Sequence, residues 1–142
     1  MASPSNTNNG IMAALSKHSS FPVSLLDNLF IGSGQTAQAT AQVVLRSGAN
    51  RITSSVSSGA CLLPSMANLD EGNALIFVIN DSANAVAVFC DPGETMNGSS
   101  NGSLSIASGG FGVFMFRPDN SMLPQQSILA HAAADWRAAA FT

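Results

Sequence analysis

Charge is what this sequence has least of. Only 9% of its residues are Asp, Glu, Lys or Arg, where an ordinary soluble domain carries about 25%. Ser, Asn, Thr, Gln and Ala must therefore coat the surface. With 46% hydrophobic residues and a mean hydropathy of +0.25, a chain so poor in solubilising charge is expected to rest against other copies of itself or against another protein. The basic residues are Lys17, Arg46, Arg51, Arg117 and Arg137, scattered rather than striped, in a chain of net charge −3. That argues against nucleic acid as a partner, because phosphate neutralisation needs clustered cations. No segment approaches the ~18–20 consecutive apolar residues that span a bilayer. The opening residues also lack the basic and apolar stretches of a signal peptide. Synthesis in a cytoplasm with no membrane partner is the expectation.

Groups that carry chemistry are equally scarce. Cys61 and Cys90 are the only cysteines, and neither has a CxxC partner or a neighbouring histidine. Both read as small buried hydrophobes with reduced thiols, and whether they could bridge is a matter of geometry that spacing leaves open. A nucleophilic site needs a Ser or Cys, a His and an orienting carboxylate. The only histidines are His18, in a polar segment, and His131, four residues before Asp135. Local pairing or solvation accounts for both. The one adjacent pair of acids, Asp70 and Glu71, sits beside Gly72 and Asn73 and reads as a solvated turn, without the spaced oxygens of a calcium loop. The sequence therefore predicts no catalytic residue, no metal site, no cofactor and no enzyme. Tyrosine is absent altogether, which removes a residue type enriched on surfaces that read sugars or peptides.

What is present begins with an arm. The chain has room for one domain plus an extension, and the expected division is 1–41 for the arm and 42–142 for an antiparallel β domain. Residues 1–10 are rich in Ser and Asn and cannot by themselves bury enough apolar surface to order. Ile11, Met12, Leu15 and Phe21 follow, and then Leu25, Leu26, Leu29 and Phe30. The last four have helical spacing, with Ser20 able to cap, Pro22 near the start and Gly32 at the end. The spacing predicts a short amphipathic helix, too short to stand alone, followed by a linker or spaced strand over 33–41. All eight of these apolar residues are candidates for gripping a partner surface.

After residue 41 the chain becomes a series of β-type runs, at 42–46, 50–55, 60–63, 74–80, 85–90, 103–107, 110–117 and 135–141. Turn signals separate them at the spacing of sandwiches and barrels. Ser47-Gly48-Ala49-Asn50 and Asp81-Ser82-Ala83-Asn84 read as hairpin connections. Without helices between runs, antiparallel pairing is expected. The runs around Phe77, Phe89, Phe114 and Phe116 are apolar on both faces, which places them in a sheet covered on both sides. In so small a domain, a neighbouring subunit is one possible cover. Trp136 is either the core anchor of the closing strand or an anchor at a subunit interface.

The order of these elements is distinctive. Residues 72–116, GNALIFVINDSANAVAVFCDPGETMNGSSNGSLSIASGGFGVFMF, are followed by ADWR at 134–137. An apolar strand ends in Asn, a short turn leads to a second apolar strand and a Pro-Gly segment, and then come a polar strand, a Phe-rich strand and a closing strand with Trp. This pattern resembles β domains that recur in tailed-bacteriophage virion proteins, among them capsid decoration, head-fibre and tail-associated proteins. The resemblance covers about 50–142 and is one of turn pattern, not of a catalytic signature. Cys90 departs from it, standing where related sequences carry Pro or another apolar residue.

The resemblance implies an all-β, compact antiparallel sandwich or barrel of jelly-roll type that trimerises on the exterior of a virion. As a capsid decoration or cement protein it would bind the major capsid protein through the arm, with Phe77, Phe89, Phe114, Phe116 and Trp136 building the domain and subunit core. The alternative is a tail-fibre, head-fibre or adaptor component with a receptor- or glycan-binding β module.

Overall fold

The structure, a computed structural model, describes residues 24–69, 75–117 and 134–142. Within them lie ten strands: β1 (Leu25–Ile31), β2 (Gly48–Ser55), β3 (Gly59–Leu62), β4 (Leu75–Asn80), β5 (Val86–Phe89), β6 (Thr95–Met96), β7 (Ser99–Ser100), β8 (Ser103–Ile106), β9 (Phe111–Arg117) and β10 (Asp135–Phe141). Two single-turn 3₁₀ segments, Gln38–Thr40 and Met66–Asn68, are the only helical elements among the described residues. The fold is all-β, as the alternating runs and closely spaced turns require.

A seven-stranded sheet has the order β1-β2-β4-β9-β10-β6-β7, and a three-stranded sheet has the order β3-β5-β8. Both contribute to one hydrophobic core. Ile52, Ile76, Val78, Phe114 and Trp136 come from the large sheet, and Cys61, Val86, Val88 and Ile106 from the small one. Contact between the two is close at Gly112, where a side chain would have to displace a neighbour. A Cβ built on Gly112 of β9 would stand 2.8 Å from Cδ1 of Ile106.

Pairing is mixed, which corrects the expectation of an antiparallel domain. β1–β2, β2–β4, β3–β5 and β6–β10 run parallel, while β4–β9, β9–β10, β5–β8 and β6–β7 are antiparallel. The usual objection to parallel pairing is that it needs a long crossover, commonly a helix. For β2–β4 and β3–β5 a strand of the other sheet serves as the crossover. The chain leaves β2, forms β3 in the small sheet and returns as β4, and it passes from β3 to β5 by way of β4.

A second correction concerns the segment before Gly32. Residues 25–31 form strand β1, not a helix. The Leu25, Leu26, Leu29 and Phe30 spacing mimics a helical stripe, but a helix of two turns is marginal in isolation. The free edge of β2 offers a backbone ladder instead, with Leu25 opposite Ala49 and Ile31 opposite Ser55. Two register shifts and a left-handed Asn28 (φ 56°) break the strand's period of two, so its inward residues fall at irregular intervals. Ile31 is fully buried in the shared core, so β1 is an edge strand of the large sheet. Residues 1–23, which hold the remainder of the expected arm and helix cap, lie outside the described residues.

The expected hairpins are also redrawn. Asp81–Asn84 links β4 to β5, which belong to different sheets, and forms a corner. Buried Asn80 fixes it: its side-chain amide donates to the carbonyls of Asn84 and Ile106 at 2.9 Å, and its oxygen accepts from Ser82 Oγ at 2.6 Å. The stretch around Gly48 leads into β2 from a segment that runs beside β3. Residues 42–46 form no named strand, and Val44 makes a single bridge to Leu62. Among the described residues the one tight hairpin between strands of one sheet is β6–β7, where Asn97 (φ 50°) and Gly98 (φ 80°) are both left-handed, as a two-residue primed turn demands.

Candidate interaction surface

The outward side of the large sheet is built by simple alternation. In β4, Ile76, Val78 and Asn80 are buried and point inward, which leaves Leu75, Phe77 and Ile79 on the outside. In β9, Gly112 and Phe114 are buried, which leaves Phe111, Val113 and Met115 outside. Side chains that would be polar on a solvated antiparallel sheet are here aliphatic or aromatic.

Register brings them together in rows. Arg51, Ile79, Phe111 and Phe141 lie side by side across β2, β4, β9 and β10, and Ala49, Phe77, Val113 and Ala139 form the next row. Leu75, Met115 and Arg137 form a third, and Arg117 with Asp135 closes the face. The Phe111 and Phe141 rings stack with centroids 5.0 Å apart. Beside them a groove of about 420 Å³ is lined by Asn97, Val113, Met115, Arg137, Ala139 and Phe141.

Charges bound this apolar field at two opposite corners. On the β1–β2 side, Arg51 Nη1 meets Asp27 at 3.1 Å and Arg51 Nε meets Asp81 at 2.6 Å. The backbone N–H of Asn28, followed by Arg51, lowers the pKa of Asp27, and the two carboxylates raise that of Arg51. On the β9–β10 side, Asp135 is only 3% exposed and is approached by Arg137 at 3.2 Å and Arg117 at 3.7 Å. It also accepts from Thr95 Oγ1 at 2.8 Å and from the Gly98 N–H at 3.2 Å. Burial alone would raise the Asp135 pKa, but these donors and the two guanidiniums outweigh it and hold the carboxyl below its ordinary value.

The sequence-predicted residues fall into different places. Leu25 (58%) and Phe30 (63%) are exposed on edge strand β1, while Leu26 and Leu29 are half-buried. Ile11, Met12, Leu15 and Phe21 lie outside the described residues. Phe77 is on the outer face of the large sheet, and Phe89 is half-buried on β5, on the opposite side from core residues Val86 and Val88. Phe114 and Trp136 are fully buried. Of the two readings left open for Trp136, the core position is therefore the one observed. Its indole N–H donates to Glu94 Oε1 at 3.4 Å, and its ring lies 5.9 Å from that of half-buried Phe116. Cys61 and Cys90 are buried and unbridged, and burial pushes the Cys61 thiol up to about 12. His18, His131, Asp70, Glu71 and Asn73 lie outside the described residues.

Sequence reasoning missed Phe111, Met115, Ile79 and Phe141 as a joint surface. The signal was available in the odd-numbered positions of 111–117, but it could be read only once the inward side was known. Among the described residues no cluster of His, Cys, Asp and Glu could hold a metal ion, and no helix is long and apolar enough to cross a membrane. Compared with protein-family models, curated proteins and solved structures, the chain matches none.

Proposed function

We propose that this protein is a structural subunit of a bacteriophage virion, a capsid decoration or cement protein that forms homotrimers on the assembled major-capsid lattice. It performs no catalysis in this reading. The two sheets stack as a β-sandwich around the shared core, and the outer face of the large sheet is left for contact with other molecules.

The observation that carries the reading is that face. A chain with few charges anywhere places Phe77, Ile79, Phe111, Met115 and Phe141 on one exposed sheet surface, as a protein that works inside an assembly would. The turn pattern of 72–116 supports the virion as that assembly. Leu25 and Phe30, exposed on the edge strand next to the arm, belong to the capsid-gripping set. The mechanism is thermodynamic: a protein that binds only the assembled shell stabilises it by mass action, by about 2.7 kcal/mol per site at a hundredfold excess over Kd.

Quantitative mass spectrometry of purified virions tests the proposal. Hundreds of copies per particle are expected. About a dozen copies would move the protein to a tail, fibre or vertex role, and absence from the particle would overturn the proposal.

A further inference from the structure

We infer that Asn97-Gly98 is a latent site of covalent self-modification, a spontaneous deamidation that Ala138 and Asp135 hold in check and that, once complete, releases the β6–β7 hairpin from β10 for good.

The hairpin is tied to β10 by a short ladder. β6 and β10 share one register pair, Met96 with Trp136, and Asn97 extends it. The Asn97 backbone N–H donates to the Trp136 carbonyl at 2.7 Å. Its carboxamide then takes the place of a peptide group: Nδ2 donates to the Ala138 carbonyl and Oδ1 accepts from the Ala138 N–H, both at 3.0 Å. Only an amide offers a donor and an acceptor together in this way. Thr95 and Gly98 add contacts to the Asp135 carboxylate.

The residue after Asn97 is the one amino acid that does not shield its own nitrogen. Glycine has no Cβ, so Gly98 N can approach the neighbouring side-chain carbonyl carbon, and asparagine is among the thermolabile residues. In the reaction Gly98 N loses its proton and bonds to Asn97 Cγ, the Cγ–Nδ2 bond breaks, and Nδ2 leaves as ammonia with a proton in place of the one lost. One water then opens the imide. Breaking the new N–Cγ bond gives aspartate, and breaking the bond from the Asn97 main-chain carbonyl carbon to the same nitrogen gives isoaspartate. Water is the only co-reactant.

The fold keeps the two reacting groups apart. Gly98 N–H is directed at the Asp135 carboxylate at 3.2 Å. Removing its proton would break a charge-assisted bond and set a second negative charge beside the first. Asn97 Cγ is meanwhile pinned by the two bonds to Ala138, so reaction waits for this edge to open locally. Once the reaction has run, the edge does not re-form. The aspartate product turns an oxygen towards the Ala138 carbonyl, acceptor against acceptor, and isoaspartate lengthens the backbone inside a two-residue turn. Asn101-Gly102 lacks this coupling. Asn101 is also left-handed (φ 53°), but its side-chain oxygen accepts from the Gly93 N–H at 2.7 Å, a bond that a carboxylate keeps.

Peptide mapping by mass spectrometry tests the protection, on the full chain aged in mildly alkaline buffer with and without denaturing urea. In urea Asn97 and Asn101 are expected to convert at similar rates. Folded, Asn97 is expected to convert about tenfold more slowly than in urea. A folded rate equal to that in urea would overturn the inference, as would an Asn97 that stays intact in urea. Hydrogen exchange tests the release. Asn97→Asp, which is one product of the reaction, is expected to speed exchange at the Asn97 and Ala138 amides about tenfold while β4 and β9 stay as in the wild type. Wild-type chain aged to conversion at Asn97 gives the same reading should the variant not fold. Asn101→Asp adds the same charge to the same hairpin and is expected to change nothing at Ala138. Full protection at Ala138 after conversion of Asn97, or an equal loss in Asn101→Asp, would show that the carboxamide is not what holds the hairpin and would sink the inference.

Discussion

The two sheets turn very different faces outward. On the large sheet the outer rows hold Phe77, Ile79, Phe111, Met115 and Phe141. On the small sheet the corresponding rows are Ala87 and Ser105, with Ala60 beside them fully buried, then Leu62, Phe89 and Ser103, beside a hollow of about 380 Å³ lined by Thr36, Ser57, Ser58, Asn84, Ala87 and Ser105. Both faces are nearly free of charge. The small sheet stays compatible with water through hydroxyls and methyls, and its bulkier side chains, Leu62 and Phe89, are half-buried. The large sheet has no such substitute. Low charge thus arises in two ways in one domain, through small polar residues where solvent is met and through large apolar ones where another surface is expected.

Mutations that separate the inside of the large sheet from its outside give the sharpest test of this contrast. Phe114→Ala, on the inward side of β9, is expected to cost about 3–5 kcal/mol of folding stability, measured by chemical unfolding. A loss as small as that for a neighbouring outward residue would show that the two sides are not distinct.

Asp135→Asn is expected to cost about 1–3 kcal/mol at neutral pH, because it weakens charge-assisted bonds to a buried acceptor. Its pH dependence has a definite sign. A folded-state pKa below the ordinary 3.8 means that the stabilisation is complete above that value and is lost as pH falls through the lower folded value. Acid titration of the wild type should therefore show a drop below about pH 4 that the variant largely lacks.

Phe111→Ala removes one ring of an exposed stack and is expected to cost about 1 kcal/mol of folding stability, while weakening incorporation into the virion far more. Ser105→Ala, on the outer face of the small sheet, should change stability by less than about 0.5 kcal/mol and leave incorporation as it is. If Ser105→Ala disrupted incorporation as strongly as Phe111→Ala, the contrast between the two faces would fail.

Much of this architecture could be read before the fold was known. The apolar runs containing Ile52, Cys61, Val78, Val88, Ile106, Phe114 and Trp136 became β2, β3, β4, β5, β8, β9 and β10, because alternation and turn residues act locally. Strand β1 was illegible. Its leucines satisfy a helical stripe as well as a bulged strand, and only the presence of the β2 edge decides between them. Parallel pairing was illegible for a related reason, since it depends on which sheet each strand joins. The exposed face was half legible. The runs through Phe77 and Phe114 showed apolar residues on both sides, but not which side faces out. Its charged corners were hidden because they join residues far apart in the chain, Asp27 with Arg51 and Asp81 on one side and Arg117 with Asp135 on the other.

The lacing of the chain between the two sheets has a consequence for how the molecule comes together. With β2, β3, β4 and β5 alternating from one sheet to the other, neither sheet can be completed before its counterpart, and most pairings join segments distant in sequence. Such topologies fold on the slow side, in milliseconds to seconds, and should melt in a single step with no half-built survivor. The apolar face of β4 and β9 is open to mispairing through that interval, so crowding during synthesis is the moment when this chain is most exposed to aggregation.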